Sequence, residues 1–531
     1  MLQTINLTKR FGKRVLFENI NLKLDRNKRY GLIGANGAGK TTFLKILSGE
    51  IEDYEGEVVI ESGLRVGVLG QNQFAFEDFT VLDAVLYGNR RLYDAIKEKE
   101  KLYMSGEFTD EVNNRLAELE VITVEEDPTY EYEVNITKIL EGLGIPASKL
   151  YEPMSSLTSA DKFKVLLAQV LFPKPDILFL DEPTNNLDLD AISWLENQLK
   201  RHEGTMVVIS HDRHFLNEVV THILDLDYQT IREFTGNYND WYIASTLMAK
   251  QKELERNRKL KEKEELESFI RRFSANASKA KQATSRQKQL EKLNIEELKP
   301  SSRRDPSIVF KMKRPIGNDI LVFENVTFGY EPDRKIFKNL TLKFNHGDKI
   351  ALIGANGVGK STLCNLIMGK LKPETGEIKW GVTVQPSYFP QNTTDLIDGD
   401  ETLYNWLKSF NPKGDLSEVR NCLGRMLFSG EEQEKSVKSV SGGEKHRLML
   451  SKMMLEQGNF LILDEPNNHL DLESIIALGE ALRQFPSNVI VVSHDRELLD
   501  SFANRVIEIK PDGTIVDFRG TYEEYREREG K

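Results

Sequence analysis

Two lysines each follow a glycine-rich turn: Lys40 in GANGAGKT (Gly34–Thr41) and Lys360 in GANGVGKS (Gly354–Ser361). In both places an apolar run precedes the turn and helical spacing of apolar residues follows it. Glycines at these positions let backbone N–H groups turn inward on an anion, and the N-terminus of the next helix adds a favourable dipole. The ammonium then meets the outer phosphates of a nucleotide, and the hydroxyl one residue on suits Mg²⁺. The pattern makes Gly34, Asn36, Gly37, Gly39, Lys40, Thr41 and Thr42 one phosphate cradle, and Gly354, Asn356, Gly357, Gly359, Lys360, Ser361 and Thr362 a second. One such match can arise by chance. Two in matching context argue for nucleotide binding.

Each cradle has a partner downstream. ILFLDEP ends on Asp181 and Glu182, and LILDEP ends on Asp464 and Glu465. An apolar run closing in Asp-Glu places the first carboxylate where it holds Mg²⁺ through water. The second can polarise the water that attacks in line on a phosphoryl group. His211 and His494 each follow an apolar run and a serine. A lone histidine there is more often structural, but its repetition at the same spacing from Asp-Glu points to a sensor of the terminal phosphate.

These residues lie on an internal repeat. GLIGANGAGKTTFLKILSGE recurs as ALIGANGVGKSTLCNLIMGK at an offset of 320 residues, whereas Asp181 to Asp464 and His211 to His494 are both offsets of 283. The first copy therefore holds 37 more residues between its motifs, in a stretch of helical periodicity that reads as a helical arm at about 80–140. In each copy short β-branched runs alternate with helical stretches, which predicts an α/β domain with a mainly parallel sheet and ligands beyond the carboxyl ends of its strands. The expected organisation is a first domain over 1–240, a linker over 241–318 and a second domain over 319–531.

The linker differs in composition from the rest. From Lys250 to Arg304 there are 17 Lys and Arg against 9 Asp and Glu, in a chain whose overall net charge is −11. From about Ser245 to Glu267 it lacks Pro and Gly and reads as a charged helix, resuming near Gln287–Leu298. A charge run is ordinarily a solvated spacer, but a basic insert in an acidic chain also suits a polyanionic partner. Elsewhere every apolar run falls short of the ~18 residues a membrane span needs, and MLQTINLTKRFGKRV lacks the apolar core of a signal peptide. The two cysteines, Cys364 and Cys422, match no metal spacing and suit a reducing cytosol.

Taken together, these residues resemble the ABC-F family of ATP-binding cassette proteins, in its YbiT-like branch, whose members carry two cassettes in one chain without a membrane domain. VSGGEKHRLML (Val440–Leu450) resembles the cassette signature, with Ser441, Gly442 and Gly443 as its nucleotide-facing residues, and RRFSANASKAKQATSR resembles the interdomain helical hairpin. The resemblance makes Phe11 and Tyr330 the adenine-stacking aromatics and Asp188 and Asp471 the D-loop residues. It makes Gln71 and Gln391 the glutamine-loop residues, which join Thr41, Asp181, Ser361 and Asp464 around Mg²⁺. Glu182, Glu465, His211 and His494 become catalytic. The fold it implies is two P-loop ABC-type domains joined by a long basic α-helical hairpin, and the cofactors are ATP and Mg²⁺. It further implies a cytoplasmic monomer that pairs its own cassettes, has no membrane subunit, and binds rRNA and tRNA on the ribosome near the exit-tRNA site as a translation factor. Arg271, Arg272, Lys279, Lys281, Arg286 and Lys288 fall at the hairpin's working tip.

The first copy departs from this pattern, since Thr158-Ser159-Ala160-Asp161 stands where the second has Ser441-Gly442-Gly443-Glu444. In the family's head-to-tail pairing, ATP on Lys40 would meet the intact signature and ATP on Lys360 the degenerate one. Each amide–phosphate hydrogen bond that an added Cβ displaces would cost roughly 1–3 kcal/mol, or about 10-fold to 100-fold, so the expectation is two unequal sites with Glu182 doing most of the turnover. Asn467 in place of Thr184 is a second departure. Two other functions compete. A DNA-binding or repair ATPase would use the basic hairpin on another phosphate backbone, although the C-terminal coiled coil of such relatives is not expected in a chain closing on YEEYREREGK. The ATPase subunit of a membrane transporter would leave the hairpin unexplained.

Overall fold

The computed structural model describes the chain apart from residues 1, 13, 71, 73, 107–108, 274–284, 286, 289, 291–302, 304, 394–395, 413 and 531, with the backbone alone described for 249, 252, 253, 256, 269, 272 and 273. Two six-stranded sheets carry the chemistry. Edge to edge, the first runs Val66–Val68, Ile177–Asp181, Thr205–Ile209, Arg29–Ile33, His222–Asp227 and Thr230–Thr235, and the second repeats that order with Pro386–Phe389, Phe460–Asp464, Asn488–Val492, Lys349–Ile353, Arg505–Ile509 and Ile515–Arg519. All pairings are parallel except the last in each sheet. The central strands ILFLD, TMVVI, FLILD and NVIVV are buried at every position, as continuous apolar runs in a sheet covered on both faces must be. A three-stranded antiparallel sheet completes each cassette.

This topology explains how motifs far apart in sequence converge. The strand Arg29–Ile33, which feeds the first phosphate loop, lies beside Thr205–Ile209, and that strand lies beside Ile177–Asp181. Lys40, Asp181 and His211 therefore leave the same carboxyl edge of the sheet. The second cassette does the same with Lys360, Asp464 and His494.

Two additions depart from the twofold plan. The arm of the first cassette contains the helices Arg90–Ser105 and Asp110–Glu126. The pair buries little beyond Leu92, Ala95, Ile96, Leu119 and Thr123 and is laced by ion pairs such as Arg115–Glu98 at 2.7 Å. Exposed pairs of this kind contribute about 0–1 kcal/mol each. Its root is held better: the Glu126 side chain is only 3% exposed and accepts from Arg65, Arg91 and Asn89.

The second addition is the helix Tyr238–Phe273, 36 residues long, which begins earlier and ends later than the charge pattern alone predicts. Its start is set by Asn237, whose side chain accepts from the Asp240 N–H at 3.1 Å. Its first turn is fastened by Tyr238 and Trp241, which enter the apolar cluster of the first cassette. Beyond that turn the helix is largely exposed, Leu254 being 61% accessible, and at about 1.5 Å per residue it extends roughly 54 Å. The hairpin's tip and most of its return lie outside the described residues. Among the described residues no helix is long and apolar enough to cross a membrane.

Candidate active site

Gly39 and Gly359, at φ 109° and 110°, are the left-handed residues that open the helices Lys40–Leu47 and Lys360–Ile367. Only glycine takes this conformation without cost, and it turns each phosphate loop back over its own lysine. The Lys40 Nζ donates to the Gly34 carbonyl at 2.7 Å and to Ala35 at 3.3 Å, and Lys360 to Gly354 at 2.8 Å and Ala355 at 3.0 Å. Burial pulls both lysines below their ordinary range, against the nearby carboxylates. The Thr41 hydroxyl donates to Asp181 Oδ2 at 2.8 Å. Asp464 is 1% exposed, and both its oxygens are buried without a well-formed hydrogen bond among the described residues. Burial raises its pKa against the nearby Ser361 hydroxyl and Lys360. A hydroxyl and a buried carboxylate left facing one another are a fitting donor set for Mg²⁺.

The next residue along each strand is unusual. Glu182 and Glu465 sit at φ 53° and 51°, a left-handed conformation that costs a non-glycine residue about 1–3 kcal/mol and survives only where the surroundings impose it. The backbone N–H of each remains tied to the neighbouring strand, to Ile209 and Val492, both at 2.9 Å. The turn swings the two carboxyl groups into the cavity, where burial pushes both pKa values up to about 8 against the pull of Lys40 and Lys360. His211 Nε2 stands 3.4 Å from Glu182 Oε1 and His494 Nε2 3.4 Å from Glu465 Oε1. Burial drives both imidazoles well below their ordinary range, so each is neutral.

The two half-sites close on each other. A single cavity of about 1470 Å³ runs between the cassettes and is lined by both phosphate loops, both Asp-Glu pairs and both histidines, a volume beyond that of one typical ligand site. Asn36 of the first phosphate loop donates to the His469 carbonyl of the second cassette at 3.2 Å, and Asn356 of the second donates to the Asn186 carbonyl of the first at 2.9 Å. Gly443 faces the Lys40 loop, a Cβ on it standing 3.3 Å from Asn36 Nδ2; Ser441, Thr158 and Ala160 line the same cavity, and the repeat sets Thr158 and Ala160 on the Lys360 side. The cassettes thus pair head to tail, as the resemblance implies.

The other expected residues fall as follows. Phe11 and Tyr330 line the cavity and are 55% and 65% exposed, leaving a ring face for a stacking base. Thr42, Thr362 and Gln391 also line it, whereas Gln71 lies outside the described residues. Asp188 and Asp471 cap the helices Leu189–Lys200 and Leu472–Gln484, accepting from Ala191 and Ser474 N–H, both at 3.0 Å. Of the linker residues, Arg271 and Lys288 are exposed and far in sequence from any cavity-lining position; Lys279, Lys281, Arg286 and the Arg272 side chain lie outside the described residues. Arg14 and Arg334, at equivalent places in the two copies, also line the cavity, and Arg14 donates to the Gly37 carbonyl at 3.0 Å. The repeat itself carried that signal, because both follow the stacking aromatic and precede an apolar strand.

The unequal signatures acquire a physical content. Ser441 forms a capping box with Glu444, each side chain satisfying the other's backbone N–H, so the intact signature helix presents a rigid N-terminus. Thr158 caps its helix too, but Asp161 turns to Lys149 at 3.0 Å instead of folding back. The two signature glycines are also not equivalent. A Cβ on Gly442 would meet nothing nearer than the His469 ring at 3.8 Å, whereas one on Gly443 would come within 2.7 Å of the His469 carbonyl oxygen and 3.3 Å of Asn36 Nδ2. Glycine at 443 therefore leaves room for the His469 carbonyl of its own cassette, which accepts from Asn36 across the interface, and Ala160 occupies the corresponding place on the other side.

Comparison with known proteins agrees with this geometry. A family model described as ABC transporter matches residues 17–185 and 337–468, and a second with the same description matches 224–310. The chain is 46% identical over 532 residues to "Probable ATP-binding protein YbiT" of Escherichia coli O157:H7, covering 100% of both. It is 34% identical over 541 residues to "ABC transporter F family member 2" of Arabidopsis thaliana, covering 98% of this chain and 78% of that one. Among solved structures it shares its fold with a chain from the complex of archaeal ribosomal stalk protein aP1 and archaeal ribosome recycling factor aABCE1, at TM-score 0.62 and 17% identity, covering 99% of this chain and 92% of that one. Two nucleotide-site frameworks, the head-to-tail pairing and full-length likeness to the first of these relatives place the chain in the ABC-F family of ATP-binding cassette ATPases, in its YbiT-like branch.

Proposed function

We propose that this ATPase is a translation factor: it closes its two cassettes on ATP, engages the ribosome near the exit-tRNA site through its linker hairpin, and is released on hydrolysis. The observation that carries this reading is the 36-residue helix Tyr238–Phe273, rooted in the apolar cluster of the first cassette and projecting beyond it. A helix of that reach, leading into the basic part of the linker, fits RNA backbone recognised through charge and shape. The likeness to a solved chain from a complex of a ribosomal stalk protein and a ribosome recycling factor supports the same partner.

Within each site the residues divide the work. Lys40 and Lys360, the loop amides and the glycine-bearing signature hold phosphate, and Phe11 and Tyr330 stack the base. Mg²⁺, held by Thr41 and Asp181 or Ser361 and Asp464 with Gln71 and Gln391 completing the set, would neutralise phosphate charge as the bond to the terminal phosphoryl group breaks. Glu182 and Glu465 orient and polarise water, and the neutral His211 and His494 hold those carboxylates and contact the terminal phosphate. ATP between the cassettes favours the closed state by binding both at once, and its hydrolysis removes that differential affinity. The protein acts as a cytoplasmic monomer, with cassettes over 1–240 and 319–531 and the linker over 241–318.

The test is co-sedimentation of the Glu182→Gln, Glu465→Gln double variant with ribosomes in ATP and Mg²⁺ at moderate salt. Recovery in the ribosomal pellet, lost when Arg271, Arg272, Lys279, Lys281, Arg286 and Lys288 are all replaced by Gln, is expected. Absence from the pellet together with tight binding to duplex DNA would replace this reading with the DNA-binding one.

A further inference from the structure

Arg303, on the return of the linker, touches three parts of the molecule at once. Its Nη2 lies 2.7 Å from Asp225 Oδ1 on the sheet of the first cassette, and its Nε lies 3.0 Å from Glu473 Oε1 at the start of the D-loop helix of the second. Its guanidinium stacks 4.5 Å from the Trp241 ring in the first turn of the outgoing linker helix. All three charged side chains are largely buried, at 17%, 12% and 17% exposure. Trp241 closes the circuit by donating its indole N–H to Asp225 Oδ2 at 3.2 Å.

The internal repeat places a related pairing in the second cassette. In the second cassette the equivalent acid is Glu508, which accepts from the Tyr525 hydroxyl at 2.6 Å as Asp225 accepts from Trp241. An aromatic fastened to a strand acid is thus common to both cassettes. At Asp225 an arginine carries the connection on to the opposite cassette. The apolar contact next door is reciprocal, since Leu472 enters the core cluster of the first cassette and Leu189 packs against that of the second.

Glu473 sits two residues after Asp471 on the segment that follows His469, whose carbonyl accepts from Asn36 in the Lys40 phosphate loop. Closure at the Lys40 site and the position of Glu473 are consequently set by the same short stretch of the second cassette. We infer that Arg303 is a positioning residue that couples closure at the Lys40 site to the linker: the guanidinium grips Glu473 only when the D-loop is docked, and through Trp241 and Asp225 it then fixes the outgoing helix together with the linker's return at Arg303. A planar fork bridging two carboxylates and an aromatic face is what arginine provides and lysine does not. The coupling rests on the reading of the linker as the moving output of the cassettes, and it joins that output to the Lys40 site.

The experiment uses the full chain in the Glu182→Gln, Glu465→Gln background and no ribosome, so its result stands apart from the identity of the partner. Spin labels at Leu254→Cys and Val382→Cys, 61% and 95% exposed, report the linker against the second cassette, and labels at Val59→Cys and Val382→Cys report the cassettes against each other. The native cysteines are buried. ATP and Mg²⁺ are expected to narrow and shift both distance distributions in the parent. In Arg303→Gln the cassette pair keeps its shift, with half-saturating ATP changed less than about threefold, while the linker pair loses its ATP response. Glu473→Gln, which cuts the same ion pair from the other cassette, reproduces this, and Arg303→Lys restores only part of the linker response. A linker pair that responds as in the parent in both Gln variants overturns the inference. Loss of the cassette shift in both also overturns it, because Arg303 then merely helps the cassettes close.

Discussion

The site built on Lys40 and the site built on Lys360 share their catalytic halves almost atom for atom and differ in what faces them. Each has a glutamate held at positive φ, with a neutral histidine 3.4 Å from its carboxylate. Across the interface, the Lys40 site meets a glycine signature with a capping box and a D-loop whose helix is clasped to the linker by Arg303. The Lys360 site meets Thr158 and Ala160, with Asp161 drawn aside to Lys149. Similar catalytic residues facing unequal partners lead us to expect two sites that differ less in how ATP could be cleaved than in how firmly it is enclosed.

The strongest way to break this comparison is to remove one glutamate at a time. Glu182→Gln is expected to lower steady-state ATPase turnover by about 100-fold or more, the scale of a lost general base, whereas Glu465→Gln leaves most of it. A reversed order in a simple phosphate-release assay would falsify the assignment of turnover to the Lys40 site. Next in size is the interface itself. Gly443→Ala puts a methyl group 2.7 Å from the His469 carbonyl of its own cassette, and displacing that carbonyl from its cross-interface bond with Asn36 should raise half-saturating ATP for closure by about 10-fold to 100-fold. The mirror substitution, Ala160→Gly, is expected to tighten the Lys360 site by less than about fivefold, because Asp161 still points away. Equal and opposite effects would show that the glycine alone makes the sites unequal.

Much of this was legible in the sequence because the chemistry sits in contiguous motifs and the chain repeats them. Lys40, Asp181, Glu182 and His211 are each marked by an apolar strand and a turn, and the repeat marks their counterparts at Lys360, Asp464, Glu465 and His494. What escaped was set by three-dimensional closure. Nothing in the spelling SGGE distinguishes Gly442 from Gly443, yet one Cβ would be tolerated and the other would collide. Nor does a lone arginine after a charged linker reveal that Asp225 and Glu473, 248 residues apart, converge on it. The long helix exceeds its sequence-based bounds because charge pattern reports only its solvated part, while Tyr238 and Trp241, which anchor its root in the first cassette, carry no charge.

A pH titration probes the closed interface between the sites. Asp495 caps the helix Arg496–Phe502, and burial together with Asp212 of the opposite cassette pushes its pKa from 3.8 up to about 7. Arg213 and Glu497 also act on it, in opposite directions. A carboxyl whose pKa is raised in the closed state binds its proton more tightly there than in the open one, so closure is favoured at low pH. That advantage is lost as pH rises from the ordinary carboxylate value of 3.8 to about 7 and is flat above. Half-saturating ATP for closure of the double glutamine variant should therefore rise over that window, by at most about tenfold per pH unit. Asp212→Asn, which keeps its helix cap, should flatten the rise.

The smallest expected effect concerns the departure whose consequence the sequence left open, Asn467 where the first cassette has Thr184. The Thr184 hydroxyl lies 3.3 Å from that of Ser210, and Asn467 Oδ1 accepts from the Ser493 hydroxyl at 2.8 Å. Each therefore ties its D-loop turn to the serine directly before His211 or His494, and each serine also caps the following turn through Asp212 or Asp495 N–H, at 3.1 and 3.0 Å. Two side chains of different shape make one and the same link. Asn467→Thr should consequently shift turnover and half-saturating ATP by less than about twofold, the scale of a hydrogen bond exchanged for its equivalent. Asn467→Ala, which leaves Ser493 buried without that acceptor, should cost several-fold more. If threonine proved as damaging as alanine, the inequality of the sites would have a second source at the D-loop, beside the signature.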